Sequence, residues 1–233
     1  MTAPPVWEAR LIRRWDQSAA APSDDLHGLV WRLFPGLPPG TPRPFLFEAV
    51  AFNPLQLLLR ATVAPTLDPA LWDEASQIRP FAPQLHPGQR LRFRMRVVAS
   101  QWQPQGHDTR SKRQDVITMA LKSTAAPPSL SAEDRAAWRS ELVQDACSDW
   151  LERQGQRCGF LPDAANLAVM DFEQRRFARG KAHAPRPPLQ VGAVLLQGCL
   201  EVTDPALFVP ALTQGFGAAR AFGHGLMQIA PLA

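Results

Sequence analysis

Polar and apolar residues alternate without a break from Arg90 to Val97, which reads RLRFRMRV. A period of two puts Leu91, Phe93, Met95 and Val97 on one face of a β-strand and Arg90, Arg92, Arg94 and Arg96 on the other. Elsewhere the spacing is helical. Leu26, Leu29, Val30 and Leu33 fall at i, i+3, i+4 and i+7, an apolar stripe on a helix with Ser23 as candidate N-cap. Phe34-Pro35-Gly36 ends that helix. VWEARLIR (Val6 to Arg13) reads as a first strand. PFLFEAVAF (Pro44 to Phe52) and LQLLLRATVA (Leu55 to Ala64) read as a hairpin across Asn53-Pro54. Asp68 to Ile78 reads as a short helix, with Asp68 as N-cap and Pro69 at the first helical position. With Arg90 to Val97 as the last strand, the order is β-α-β-β-α-β, a ferredoxin-like unit.

Ser123 to Leu130, STAAPPSL, reads as a linker. Beyond it comes a long helix from N-cap Ser131 to near Gly155, then one or two strands between Gly159 and Phe177. A strand follows over Gly192 to Thr203. The last helix opens with Asp204 and Pro205 and closes at Gly215, with Pro210 expected to kink it. Leu226 to Leu232 reads as a final strand. The expected fold class is α+β: two tandem ferredoxin-like (RRM-type) domains, 1–122 and 130–233.

Composition adds bounds. The chain has 233 residues, 45% of them hydrophobic, enough for a substantial core and against disorder. Lys and Arg outnumber Asp and Glu by 25 to 21, which is compatible with a polyanionic partner without requiring one. Cys147, Cys158 and Cys199 are far apart and form no CxxC, which speaks against a disulfide framework or a zinc site. Together with a start, MTAPPVWEAR, that lacks a signal-peptide layout, this points to the cytoplasm. No apolar run approaches the roughly 20 residues of a membrane span, so no membrane partner is expected. Tyrosine is absent.

Candidate chemistry lies near the C-terminus. In GFGAARAFGHG, Gly215 to Gly225, two Gly-x-Gly pairs flank five residues. Glycine allows positive φ and close approach of backbone N–H groups to phosphate oxygens, and Arg220 adds charge; a tight helix-to-strand crossover is the plainer alternative. The loop follows a helix and lacks Gly-Lys-Ser/Thr, so it is neither a dinucleotide fingerprint nor a P-loop. The four arginines of RLRFRMRV stand roughly 6.6 Å apart, a spacing that suits an RNA backbone or acidic partners on neighbouring strands. Arg110, Lys112, Arg113, Arg175, Arg176, Arg179 and Lys181 add basic groups in expected loops. Trp102 is expected in core or loop packing, with base stacking as the alternative. His86, His107 and His183 show no ligand spacing, and His224 reads as a loop residue facing RNA or solvent.

LHGLVWRLFPG (Leu26 to Gly36), PFLFEAV (Pro44 to Val50), LRFRMR (Leu91 to Arg96) and GFGAARAFGHGLMQIAPL (Gly215 to Leu232) together resemble the CasE family, the repeat-processing endoribonucleases of type I-E CRISPR systems. Residues 98–190 match loosely. The resemblance implies two RRM-type domains and cleavage of precursor CRISPR RNA at the base of each repeat hairpin. It also implies retention on the mature crRNA inside Cascade, beside the other subunits, backbone proteins included. The implied chemistry needs no metal and no cofactor: a 2′-hydroxyl attacks the adjacent phosphate, leaving a 2′,3′-cyclic phosphate and a 5′-hydroxyl. His27 matches the catalytic position, and its ordinary pKa near 6.5 suits acid or base work. Gly215, Gly217, Arg220, Gly223 and Gly225 match the RNA-binding loop, with Lys112, Arg113, Arg175, Arg176 and Arg179 as further RNA contacts. Family members often carry a tyrosine three residues before the histidine; here that residue is Asp24. Asp24 could hold the His27 imidazolium or answer the helix dipole. The alternative function is a weak or inactive hairpin-binding subunit; a third reading is an unrelated enzyme holding a small phosphate ligand.

Overall fold

The computed structural model describes residues 5–14, 26–105, 109–124, 127, 129–177 and 189–232. Apolar alternation in the first part of the chain produces β1 (Trp7–Ile12), β2 (Phe45–Phe52) and β3 (Leu55–Ala61), with α1 (Leu26–Trp31) between β1 and β2. A short β4 (Gln77–Pro80) completes an antiparallel sheet in the order β2-β3-β1-β4. This is the ferredoxin-like order. Leu29 and Val30 of α1 pack with Leu11, Phe45, Phe47, Leu57 and Leu59 on one face of the sheet. Ser23, the expected N-cap, lies outside the described residues.

The helix expected over Asp68 to Ile78 is absent. Asp68 accepts the Ala70 N–H at 2.9 Å and Asp73 accepts the Ala75 N–H at 2.9 Å, so each carboxylate closes a local turn. Trp72 is buried and bridges to Arg13, which pulls the segment onto the sheet, and the chain leaves as β4.

The strand read most clearly from the sequence, β5 (Arg90–Val97), forms as expected but joins the other sheet. After it come the hairpin β6 (Ser100–Gln105) and β7 (Thr109–Asp115), then α2 (Val116–Ser123) and α3 (Ala132–Cys158). The chain goes on through β8 (Phe160–Pro162), β9 (Ala168–Phe177), β10 (Leu189–Val202), α4 (Pro205–Gln214) and β11 (Met227–Pro231). This sheet runs β11-β5-β10-β8, with β9 also on β10, a second ferredoxin-like order opened, not closed, by β5. Leu91, Phe93, Met95 and Val97 find their core among Val194, Leu196, Trp150, Phe208 and Leu212. Alternation says that one face is buried; it does not say against which sheet. Ser123 to Leu130, expected as a linker, therefore joins α2 to α3 inside the second unit.

Ser131 caps α3 by accepting the Asp134 N–H at 3.1 Å. Its C-cap is Gly159 in the left-handed region (φ 74°), four residues beyond the expected Gly155. Asp204 caps α4 by accepting the Ala206 and Leu207 N–H groups. Pro210 lies on the exposed side, and α4 runs on to Gln214.

The unpacked faces of the two sheets meet through buried charge. Arg60 of β3 is 1% exposed. Its Nη1 donates to the carbonyl oxygens of Leu212 (2.9 Å) and Met227 (3.1 Å), and its Nη2 donates to Glu8 Oε2 (2.8 Å). The guanidinium also lies 3.7 Å over the Phe81 ring. Burial lowers the Arg60 pKa, with Glu8 opposing that. Burial would raise the Glu8 carboxyl, but the bonds from Arg60 and Arg79 outweigh it, so Glu8 stays below its ordinary value. Beside this site, buried Glu48 accepts from Arg94 (2.7 Å) and Gln228 (3.0 Å) of the other sheet. Replacing Arg60 by Ala leaves Glu8 with Arg79 alone and takes one donor from each of two carbonyls. Equilibrium urea unfolding of Arg60→Ala should show a loss of about 3–5 kcal/mol; a loss below about 1 kcal/mol, as for a surface pair, contradicts this role.

Candidate active site around His27

His27 sits one residue off the apolar stripe of α1 and is half-buried. One turn on, the Trp31 indole Nε1–H donates to His27 Nε2 at 3.0 Å. In this arrangement the imidazole therefore carries its proton on Nδ1. The His27 ring lies 6.2 Å from Trp31, edge to face, and 5.9 Å from Phe45. Phe45 in turn stacks flat on Phe34 at 5.3 Å. An aromatic wall from α1 and β2 thus fixes the orientation of the histidine. Asp24 lies outside the described residues.

The glycine loop reaches this wall from the second unit. Its turn Arg220–Phe222 lies against α1 and β2. Gly215, Gly217, Gly223 and Gly225 all have positive φ, as expected for this loop. The cause is contact within the protein. A Cβ on Gly217 would collide with the Val98 carbonyl oxygen, and one on Gly225 with that of Phe216. A Cβ on Gly215 would come 2.7 Å from Leu46. Several of the amides bond within the protein: Gly215 donates to Ala211 (2.8 Å), Phe216 to Gly225 (2.9 Å), Ala218 to Val98 (2.9 Å) and Gly225 to Arg96 (2.8 Å). The group the loop presents is Arg220, which is half-buried and braced by donation to the carbonyls of Gln214 (2.7 Å) and Gly215 (3.4 Å). His224, expected to face RNA or solvent, is 1% exposed and belongs to the interior.

Sequence reasoning missed Arg43. It stands in the proline-bounded run TPRPF, where no periodicity marks it. Its guanidinium lies 5.9 Å from the centroid of Phe45, the ring that touches His27. Burial lowers the Arg43 pKa, and the charge of Arg220 lowers it further. The structure therefore brings His27, Trp31, Arg43, Phe45 and Arg220 together: one imidazole and two guanidiniums on an aromatic floor. That set suits an anion such as a phosphodiester.

The other candidates fall elsewhere. Lys112 and Arg113 are on β7 of the hairpin, paired in register with Gln103 and Trp102, so this expected loop is a strand. Trp102 there is 67% exposed, which removes it from core packing. Arg175 and Arg176 are on β9, also a strand where a loop was expected, opposite Val191 and Gln190 of β10. Arg179, Lys181, His107 and His183 lie outside the described residues. In the arginine row, Arg90 pairs with Asp163 (3.2 Å), Arg94 with Glu48 (2.7 Å) and Arg96 with Asp171 (3.3 Å), so acidic neighbours answer most of it. Arg92 is exposed. Burial pushes the Cys147 thiol up to about 12, which makes it a core residue and no nucleophile. Among the described residues no three His, Cys, Asp or Glu side chains gather as a metal-binding group, and no helix is long and apolar enough to cross a membrane. The loop geometry is testable by thermal unfolding. Gly225→Ala (φ 84°) should cost about 1–3 kcal/mol through strain and collision, whereas Gly36→Ala, with nothing within 4 Å, should change little.

Comparison with known proteins agrees with this architecture. The family described as CRISPR associated protein matches residues 7–231. The CRISPR-associated endoribonuclease Cse3 of Thermus thermophilus is 32% identical over 206 residues, covering 87% of this chain and 80% of that protein. The solved structure of Thermus thermophilus Cse3 bound to an RNA representing a pre-cleavage complex superposes with a TM-score of 0.68 at 23% identity, covering 97% of this chain and 100% of that one. A chain of a CRISPR RNA-guided surveillance complex superposes with a TM-score of 0.64 at 17% identity, with coverage of 97% and 100%. With its two ferredoxin-like sheets in tandem and a family match from the first strand to the last, the chain belongs to the CRISPR-associated protein family and, within it, to the type I-E CasE (Cse3) group.

Proposed function

We propose that this protein is a metal-independent endoribonuclease that cuts precursor CRISPR RNA at the base of the repeat hairpin. It then stays on the mature crRNA as a subunit of Cascade, in the cytoplasm, beside that complex's other subunits. The observation that carries the reading is the seating of His27 between the aromatic wall of β2 and the loop that presents Arg220. The names of its relatives support it: one is an endoribonuclease, one was captured with RNA before cleavage, and one belongs to an RNA-guided complex.

The chemistry follows from the groups present. The 2′-oxygen forms a bond to phosphorus, and the bond from phosphorus to the 5′-oxygen breaks. The 2′-hydroxyl loses a proton and the departing 5′-oxygen gains one, so the products are a 2′,3′-cyclic phosphate and a 5′-hydroxyl. His27 moves one of these protons, because an imidazole exchanges protons near neutral pH. Arg220 supplies positive charge where the phosphate gains negative charge. Gly215, Gly217, Gly223 and Gly225 shape the loop that carries it. Lys112 and Arg113 on the hairpin of β6 and β7, with Arg175, Arg176 and Arg179, contact the RNA backbone, whose deep major groove is met by phosphate contacts.

A second reading, a hairpin-binding subunit that does not cut, has one observation in its favour. No tyrosine exists to share the proton transfers, and His27 Nε2 already accepts from Trp31. Incubating the protein with repeat RNA from its own locus in excess EDTA, beside His27→Ala, separates the two. The ribonuclease reading predicts one cut with a 5′-hydroxyl end, slowed at least about 10²-fold in His27→Ala. Tight binding by both proteins with no cut by either establishes the hairpin cap instead.

A further inference from the structure

We propose that Arg43 is a catalytic residue: with Arg220 it grips the non-bridging oxygens of the phosphate being cut. The proposal rests on the ribonuclease reading above and adds a group that neither the sequence motifs nor the relatives' names point to.

Arg43 directly precedes Pro44, whose ring restricts the arginine to extended backbone, and lies two residues before Phe45. Its guanidinium sits 5.9 Å from the Phe45 centroid, and His27 lies 5.9 Å from the same ring. The arginine and the histidine therefore share one phenylalanine as a neighbour. Arg43 is half-buried, and its Nε is buried without a hydrogen-bond partner. Among the described residues no carboxylate pairs with it; the charge that acts on it is Arg220. Compare the other guanidiniums at the junction of the sheets. Arg60 meets Glu8, and Arg94 meets Glu48. Arg43 instead lies near a like charge, since the turn that carries Arg220 packs against α1 and β2, an arrangement that a bound anion relieves.

Arg220 is not free to move away. Its Nη1 is tied to the carbonyls of Gln214 and Gly215, which leaves the rest of its fork for a ligand. Two guanidiniums beside one imidazole fit a phosphodiester, whose two non-bridging oxygens each accept a charge-assisted bond. As the 2′-oxygen adds to phosphorus, negative charge on those oxygens grows, so the grip is stronger in the transition state than in the ground state. Neither arginine gives or takes a proton in this step.

The test uses single-turnover cleavage at saturating protein, and binding of the same RNA with a 2′-deoxy nucleotide at the cut. Arg43→Gln should cut about 10²–10³-fold more slowly, with hairpin affinity falling less than about tenfold, as for one lost phosphate contact. Arg43→Lys should recover part of the rate, since it keeps the charge and loses the fork. Sulfur in place of a non-bridging oxygen should slow the wild type more than Arg43→Gln, an effect that a purely structural arginine does not produce. Wild-type speed in Arg43→Gln, or a rate loss that vanishes at saturating protein, overturns the proposal. If Arg43→Gln does not fold, Arg43→Lys decides: folded and as fast as wild type overturns it, folded and at least about tenfold slower supports it. A wild type that cuts beside an equally fast Arg43→Gln removes this proposal alone, whereas a wild type that leaves the RNA whole removes the ribonuclease reading as well.

Discussion

One buried guanidinium determines how the two halves of this protein meet. Arg60 leaves the first sheet and donates to the carbonyl of Leu212, in the last turn of α4, and to that of Met227, which opens β11. Those residues stand at the two feet of the glycine loop. A charge removed from water is tolerated only if it is paired, and Arg60 meets that condition through its two Nη atoms, which reach Glu8 and two carbonyls, and through the face of Phe81, although its Nε is buried without a hydrogen-bond partner among the described residues. Arginine suits the place because its planar fork reaches several acceptors at once, which a lysine ammonium cannot copy.

The site inherits its geometry from that junction. His27 belongs to the first unit and Arg220 to the second, so their relation is only as fixed as the contact between the sheets. Glu48, held by Arg94 and Gln228, adds a second fixed point close to the first. The glycines contribute by letting the loop backbone pass within contact of Val98, Phe216 and Leu46, positions a side chain would exclude. Catalysis by positioning and charge depends on fixed placement, because small displacements of charged groups forfeit much of their effect.

Much of the fold was legible in the sequence, because apolar periodicity reports local burial. The stripe of α1, the alternation of β5 and the caps Ser131 and Asp204 all appear where the pattern puts them. What the pattern does not carry is the identity of the partner across a long loop. β5 shows this: its buried face was plain, yet its place in the second sheet depends on β10 and β11, more than ninety residues away. Asp68 misled for another reason, since a carboxylate that caps a helix also closes a turn and only tertiary contact decides. At the site, His27 and Arg220 were visible through the resemblance of their surroundings to a family. Arg43 was not, because its meaning comes from Phe45 and Arg220 in space. His224 shows the reverse, a histidine in a glycine-rich run that looks exposed and is buried.

The proposed phosphodiester site between His27, Arg43 and Arg220 lies where the two units meet. It is tested most directly by a crystal structure of the protein with its own repeat hairpin, stalled by a single 2′-deoxy nucleotide at the cut. The uncut phosphate is expected within hydrogen-bonding reach of both guanidiniums and beside the His27 ring. A hairpin lying along the β5 arginines, with that phosphate remote from His27, would contradict it.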